Sequence, residues 1–536
     1  MMGSSKEEKT IDLFTHESSR AVDEKDEIKP YLFIKKVSDL LDSVGVEVTG
    51  IERISPYRRS QNKLRQLVTV TGLWFSACGG LSSMSSFYLG PLLFGLGLKK
   101  TLIAGMVGQF VGCFVAAYCS LMGPRSGCRQ MVTARFLFGW WMVKLVAIAS
   151  IMGVMGWSVV NCIVGGQILN HVSEGKVPLV VSIVIIGVSS LFISIAGIRF
   201  LLRVEALLSI PVMGAFLTLY IVSANKYQYL SWADSPDEDY ATLKGNTFSF
   251  FALCYSITST WGSIASDYYI LFPQDTPDVQ IFTLTFLGTF LPTSFVGVAA
   301  ILIGNIALNH EPWAQAYESL GMGGLLGAAF EPWGAGGKFL LVLIFLSLIS
   351  NNILNTYSAV FGMQIIGLPL ARVPRWLWSL LLTGLYVALA IIGRYKFAAI
   401  LGNFLPMLGY WLSIYFMLLL EENTIFRTKR FRYLFTKEFE DADSDTSSLT
   451  GGENCNYNFI IWNTQGKLTQ GFAATVSFMC GAAGAAVGMS QTYWVGPLAK
   501  KVGGTYGGDI AMWLCMAFSG VVYPWLRYME LKKFGR

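Results

Sequence analysis

Twelve stretches of 17 or more residues contain no Asp, Glu, Lys or Arg: 66–98, 101–124, 145–173, 177–198, 206–225, 245–266, 279–310, 339–371, 376–393, 397–420, 468–499 and 510–526. A helix that crosses the hydrocarbon core of a bilayer needs about 20 mostly apolar residues. Each stretch therefore has room for one crossing, and the longer ones also hold loop. Lipid offers no partner to an exposed backbone N–H or C=O, which leaves the helix as the spanning element here. Composition agrees: 14% of the 536 residues are charged, against about 25% in soluble proteins. Soluble and disordered folds are excluded. So is nucleic-acid binding, because the net charge of +6 is dispersed over the connections and forms no basic stripe. The expected fold is an all-α integral membrane protein with twelve transmembrane helices.

Basic residues sort the connections. Arg53, Arg58, Arg59, Lys63 and Arg65 precede the first stretch, and Arg125, Arg129 and Arg135 follow the second. Arg427, Lys429, Arg430, Arg432 and Lys437 follow the tenth, and Arg527, Lys532, Lys533 and Arg536 close the chain. Cytoplasmic loops concentrate Lys and Arg, so both termini are expected in the cytoplasm. Lys99–Lys100 and Lys500–Lys501 run against this rule. The polar segment 421–467 carries an acidic, Ser-rich patch from Glu438 to Ser448, and a Gly-rich segment, 319–337, reads as the loop joining the seventh and eighth spans.

Several chemistries are absent. The nine cysteines lie mostly inside apolar runs with no C-x-x-C pair, so they read as buried apolar side chains and not as a disulfide frame or metal site. His16, His171 and His310 lie outside the spans or at their edges, which excludes a histidine relay across the membrane. No Gly-x-x-x-x-Gly-Lys-Ser/Thr phosphate cradle occurs. No nucleophile–base set sits at membrane depth, so the chain does not read as an enzyme.

Two spans look interrupted. The first contains Cys78-Gly79-Gly80-Leu81-Ser82-Ser83-Met84-Ser85-Ser86, and the sixth contains Ser256-Ile257-Thr258-Ser259-Thr260-Trp261-Gly262-Ser263. These are corresponding positions in two five-helix halves, and paired interruptions point to a transporter site built on inverted repeats. The pairs Gly108/Gly112 and Gly484/Gly488 read as close helix packing.

Polar side chains inside spans are costly in lipid and mark function. Trp157 and Asn161 are four apart, on one face of the third span, as are Asn351 and Asn355 in the eighth; Trp261 sits in the sixth-span interruption. An amide offers both a donor and an acceptor, and an indole offers a stacking face worth about 1–3 kcal/mol per base. Together they suit a flat heteroaromatic cargo. Taken singly, each Trp reads equally as core or interfacial belt, and each Asn pair as glue between helices. Asp267 closes the sixth span and is a candidate proton carrier, while Glu205 and Asp509 are expected at the membrane interface.

The chain resembles the fungal purine–cytosine permeases of the nucleobase–cation symporter-1 family. The resemblance runs from about Gly45 to Arg536. It rests on Gly45-Val-Glu-Val-Thr-Gly-Ile-Glu-Arg53, Gly123-Pro-Arg-Ser-Gly127, Gly156-Trp-Ser-Val-Val-Asn161, Asp267-Tyr268, Asn351-Asn-Ile353 with Asn355, Gly484-Ala-Ala-Val-Gly-Met-Ser-Gln491 and the terminal Phe534-Gly-Arg536. It implies a leucine-transporter-like core of two inverted five-helix repeats over 66–420, framed by a cytoplasmic tail (1–65), a cytoplasmic loop (421–467), helices 11 and 12 (468–529) and a short C-terminus (530–536). It implies proton-coupled import of nucleobases (cytosine, adenine, guanine, hypoxanthine) across the plasma membrane, with no cofactor and no resident metal. Ser83, Trp157, Asn161, Trp261, Asn351 and Asn355 are then the substrate residues. Ser347 and Ser350, facing the carbonyls of residues 75–78, join Asp267 as the coupling region. Three motifs depart from the family pattern: Cys78 stands for Asn, Leu354 for Pro, and Ala265-Ser266-Asp267-Tyr268-Tyr269 for Ala-Ala-Asp-Tyr-Thr. They keep a second expectation open, a proton symporter for another flat heterocycle such as vitamin B6.

Overall fold

Each of the twelve uncharged stretches carries a helix in the computed structural model, which describes residues 50–60, 62–195, 198–235, 239–440, 457–504 and 506–536. The first stretch is broken: α1 (Lys63–Cys78) stops at Gly79–Gly80, and α2 (Leu81–Phe87) and α3 (Leu89–Leu92) continue at an angle of 42°. There follow α4 (Leu98–Ser120), α5 (Arg135–Val172), α6 (Leu179–Ile195) and α7 (Ile198–Ser223). The second half comprises α8 (Tyr240–Ser259), α9 (Asp278–Asn309), α10 (Glu311–Phe330), α11 (Gly334–Ile366), α12 (Arg375–Gly393) and α13 (Phe397–Glu421). Helices α14 (Phe472–Gly488) and α15 (Ala511–Phe534) complete the chain. Strand pairing among the described residues is confined to Ser490–Gln491 against Trp494–Val495.

Seven helical segments are long and apolar enough to cross a membrane, and an eighth if the bent pair counts as one span. Helices α6 and α14 are apolar but only 17 residues long. Helix α8 is cut short because α-helical geometry ends at Ser259; the chain continues as two 3₁₀ turns, Thr260–Ser263 and Ala265–Tyr268. The Gly-rich segment is not the loop its composition suggested. Helix α10 runs to Phe330 with a break at Leu320–Gly321, where Gly321 takes φ +59°, and Gly334 already opens α11. Glycine permits the left-handed step at residue 321 while the backbone on either side stays hydrogen-bonded.

Alternate connections meet on two faces. On one, Ile54 N–H donates to the Gly127 carbonyl at 2.9 Å, Arg125 pairs with Asp278, and Lys437 N–H donates to the Gly535 carbonyl at 2.9 Å. This face gathers the segment before α1, the α4–α5 and α8–α9 connections, the segment after α13 and the C-terminus. On the other, Lys100 bonds Asp234 at 2.6 Å and Lys338 bonds Glu174 at 2.5 Å. Hydrogen bonding to Lys338 holds the Glu174 carboxyl below its ordinary range. The acidic patch beyond Glu440 and the tail before Gly50 lie outside the described residues.

Small residues let helices touch backbone to backbone. A Cβ on Gly484 or Gly488 would come within 2.6 Å of Leu514 on α15, and Gly108 and Gly112 give α4 the same proximity to α8. The eight described cysteines are free, and seven of them are buried.

A buried charge network ties the segment after α13 to α15. Glu422 accepts from Arg427 Nε (2.9 Å), Arg527 Nη2 (3.0 Å) and the Tyr523 hydroxyl (2.8 Å), and Arg427 also bonds Glu438 at 2.8 Å. Such a pair stands only while both signs are present, since removing one partner leaves an uncompensated buried charge. Glu422→Gln is expected to cost about 3–5 kcal/mol, read as a lowered thermal midpoint of the detergent-solubilised protein.

Candidate functional site

The two helix breaks face each other across α5, α11 and α13. Between them lies a cavity of about 430 Å³, the open solvent at its mouth included. Ser82 and Ser83 reach it from the first turn of α2, directly after the Gly79–Gly80 break. Thr260, Trp261, Ser263 and Ile264 reach it from the 3₁₀ turns that follow α8. Gly153, Val154 and Trp157 come from α5, Asn351 and Asn355 from α11, and Leu408, Trp411 and Leu412 from α13. A site made from interrupted helices places short polar side chains and irregular backbone at membrane depth, where an intact leucine-rich helix would present only methyl groups.

Three indoles shape the walls. Trp261 is held edge-on by the fully buried Trp74, with centroids 5.5 Å apart and planes at 85°. Trp74 is itself fixed by a 2.8 Å bond from Nε1 to the Tyr269 hydroxyl. Trp411 Nε1 is buried and has no hydrogen-bond partner among the described residues. A ligand acceptor placed against it would satisfy that donor.

The amides form one ordered set. Asn161 Nδ2 donates to Asn351 Oδ1 and to Asn352 Oδ1, each at 2.9 Å. Asn355 Nδ2 donates to the same Asn351 Oδ1 at 3.0 Å, and Asn351 Nδ2 donates to the Ala77 carbonyl at 3.2 Å. Asn351 is thus engaged at both ends, and Asn355 beside it brings a second amide to the cavity wall. Asn161 is fully buried and does not line the cavity. It fixes Asn351, which lines the cavity, and Asn352, which does not.

Of the six expected substrate residues, Ser83, Trp157, Trp261, Asn351 and Asn355 come together on the cavity wall, with Asn161 behind them. Ser347 and Ser350 lie deeper, at the helix-1 break. Ser347 Oγ accepts from Leu81 N–H at 3.0 Å, and Ser350 Oγ meets Ser76 Oγ at 2.9 Å. Asp267 lies apart from the cavity: its Oδ1 accepts from Gln130 N–H at 2.8 Å, fastening the end of the sixth span to the α4–α5 connection. Two carboxylates expected at the interface are buried instead. Glu205 on α7 is fully enclosed and bonded by Ser350, while Asp509 accepts from Tyr410 and from Gln491 Nε2. Sequence reasoning passed over Trp411, Thr260 and Ser263. Trp411 is one of 15 tryptophans in a span without a polar interruption, and nothing local distinguishes it.

Known proteins give the following matches. The family described as permease for cytosine/purines, uracil, thiamine, allantoin matches residues 58–429. The vitamin B6 transporter TPN1 of Saccharomyces cerevisiae is 54% identical, over 93% of this chain and 90% of its own. The purine–cytosine permease fcyB of Emericella nidulans is 30% identical over 94% of this chain and 92% of its own. The purine–cytosine permease FCY2 of Saccharomyces cerevisiae is 28% identical over 92% and 88%. Among solved structures, Mhp1, a nucleobase–cation-symport-1 family transporter, in a closed conformation with bromovinylhydantoin bound, aligns with a TM-score of 0.61 at 14% identity. That alignment covers 90% of this chain and 96% of the other. The likeness establishes the transporter fold.

Asn161→Ala removes two hydrogen bonds and frees Asn351 and Asn352 to reorient. At about 1–3 kcal/mol for unsatisfied buried partners, the KM for the transported ligand is expected to rise about tenfold or more, with surface display unchanged. Concentration-dependent uptake in cells displaying the variant checks it.

Proposed function

The chain belongs to the family of permeases for cytosine/purines, uracil, thiamine and allantoin, and from that premise we propose that it imports vitamin B6 across the plasma membrane as a proton symporter with both termini cytoplasmic. It is a multi-pass transporter of the nucleobase–cation symporter-1 type and not an enzyme. The observation that carries the substrate is the step in identity, 54% to a vitamin B6 transporter against 30% and 28% to two purine–cytosine permeases over nearly the same length. That step ranks the vitamin above the nucleobases that the motifs alone suggested.

The cavity chemistry supports the reading. Vitamin B6 vitamers are flat pyridines edged with hydroxyl groups and a ring nitrogen. Trp157, Trp261 and Trp411 offer faces for such a ring, Asn355 Oδ1 offers an acceptor, and Trp411 Nε1 and the Ser83 hydroxyl offer donors. Among the described residues no charged side chain lines the cavity, which suits a neutral ring. Net charge on the cargo would need a counter-charge in so dry a place. The same groups would also receive a purine or cytosine, so the aromatic walls alone do not rank the two classes.

Cells lacking their own carriers and expressing this chain are expected to accumulate labelled pyridoxine, and a protonophore is expected to abolish the accumulation. Excess unlabelled pyridoxine should compete fully, and cytosine or adenine weakly. Strong competition by cytosine with little pyridoxine uptake would reverse the assignment. Uptake that only equilibrates and ignores the protonophore would remove the symport reading. Trp261→Ala should raise the pyridoxine KM about tenfold or more, and Trp261→Phe should recover part of that loss.

A further inference from the structure

Glu205 occupies an unusual position. It lies on α7, fully enclosed, against the last turn of α1 before the Gly79–Gly80 break and against the middle of α11. Ser350 Oγ donates to its Oε2, Ser350 Oγ also meets Ser76 Oγ, and Ser76 itself faces the carboxyl. Its Oε1 is buried and has no hydrogen-bond partner among the described residues.

Five other buried carboxylates are provided for. Glu422, Glu438 and Glu530 lie in ion pairs with Arg427 or Arg527. Asp509 accepts from Tyr410, Gln491 and the Ala511 N–H, and Asp267 accepts from the Gln130 N–H. Glu421 also has an unpartnered oxygen, but it lies at the far end of α13 beside Gly520, away from both helix breaks. An unpaired carboxylate in such a place costs several kcal/mol, whereas a carboxylic acid carries its own donor and is neutral.

Among the described residues, no counter-charge faces it. On α7 itself Arg203 is exposed, as are Arg65 at the start of α1, Asp278 at the start of α9, and Glu311 and Glu318 on α10. Lys63 and Lys338 sit at the outer ends of α1 and α11, paired with Asp275 and Glu174. The titratable group that faces Glu205 is the Tyr268 hydroxyl, which pairs with Ser358.

We propose that Glu205 is the proton-carrying group of this transporter, a positioning residue set one hydrogen bond from Ser350 at the joint between the broken first helix and α11. The proposal rests on the proton-symport reading above. The proton comes from external water to the Glu205 carboxylate, making a carboxylic acid, and leaves to cytoplasmic water after the site has opened inward. No other bond changes. The link to the cargo is short. Ser350 adjoins Asn351, whose Nδ2 holds the Ala77 carbonyl at the broken helix end and whose Oδ1 anchors Asn355 in the cavity wall. A neutral Glu205 lets α1, α7 and α11 close around a dry joint; an ionised one draws water in and opens it. Proton and substrate thereby favour each other's binding by the same factor.

The test uses the full chain in proteoliposomes with an internal pH-sensitive dye, measuring substrate counterflow, gradient-driven accumulation and proton entry. Wild type is expected to show all three. Glu205→Gln, permanently neutral and of the same shape, is expected to keep counterflow while losing accumulation and proton entry, and its KM should lose its pH dependence. Glu205→Gln with wild-type proton entry overturns the proposal and leaves proton symport standing. Wild type that exchanges substrate without proton entry overturns both. If Glu205→Gln yields no folded protein, Glu205→Asp decides: proton entry per substrate should persist with a shifted pH midpoint of KM, and an unshifted midpoint overturns the assignment.

Discussion

A helix that stops inside a membrane must find partners for the backbone groups it frees, and the structure depends on how α11 supplies them. Ser347 accepts the Leu81 N–H on the far side of the Gly79–Gly80 break, and Asn351 donates to the Ala77 carbonyl on the near side. Both come from one helix, one turn apart. The glycines are needed for the same reason. A side chain at Gly79 would strike Met213 on α7, and one at Gly80 would press on Ser347 at 3.0 Å. The polar joint therefore forms only with α1, α7 and α11 in near contact.

From that joint the hydrogen bonding runs without interruption to the cavity. The amide that caps Ala77 is the amide that receives Asn161 and Asn355. The cavity wall and the repair of the broken backbone thus share one side chain. A ligand that pulls on Asn355 acts, through a single oxygen, on the end of the broken helix. This arrangement explains why polar residues crowd the eighth span although most of them never touch the cavity.

Much of this was legible in the sequence, for physical reasons. Charge-free runs show spans because lipid forbids charge, and Gly-Ser and Ser-Thr crowding shows breaks because leucine would otherwise fill those places. The fourfold spacing of Asn351 and Asn355 put them on one face, and they do share the cavity wall. What sequence spacing could not show was depth. Glu205 borders a charge-free run just as an interfacial residue would, yet α7 extends back to Ile198 and carries it inside. Spacing alone did not show either that the Asn161 Nδ2 is taken up by two other amides. The helix α10 was hidden because seven glycines from Gly321 to Gly337 read as loop, whereas tertiary packing against α5 sustains helical geometry there. The substrate rank was not legible from the motifs, since a cavity of indoles and amides accepts more than one flat ring.

Leu354 also has a mechanical consequence. Proline at this position would free the carbonyl four residues earlier, on Ser350, and weaken the helix there. With leucine, α11 keeps its full ladder from Gly334 to Ile366. It behaves as a stiff strut with no elbow beside the binding wall. Any rocking that alternates access must then be taken up elsewhere, at the glycine gap of the first span and the 3₁₀ turns of the sixth. The compliance of the carrier is concentrated in the two segments that also line the cavity.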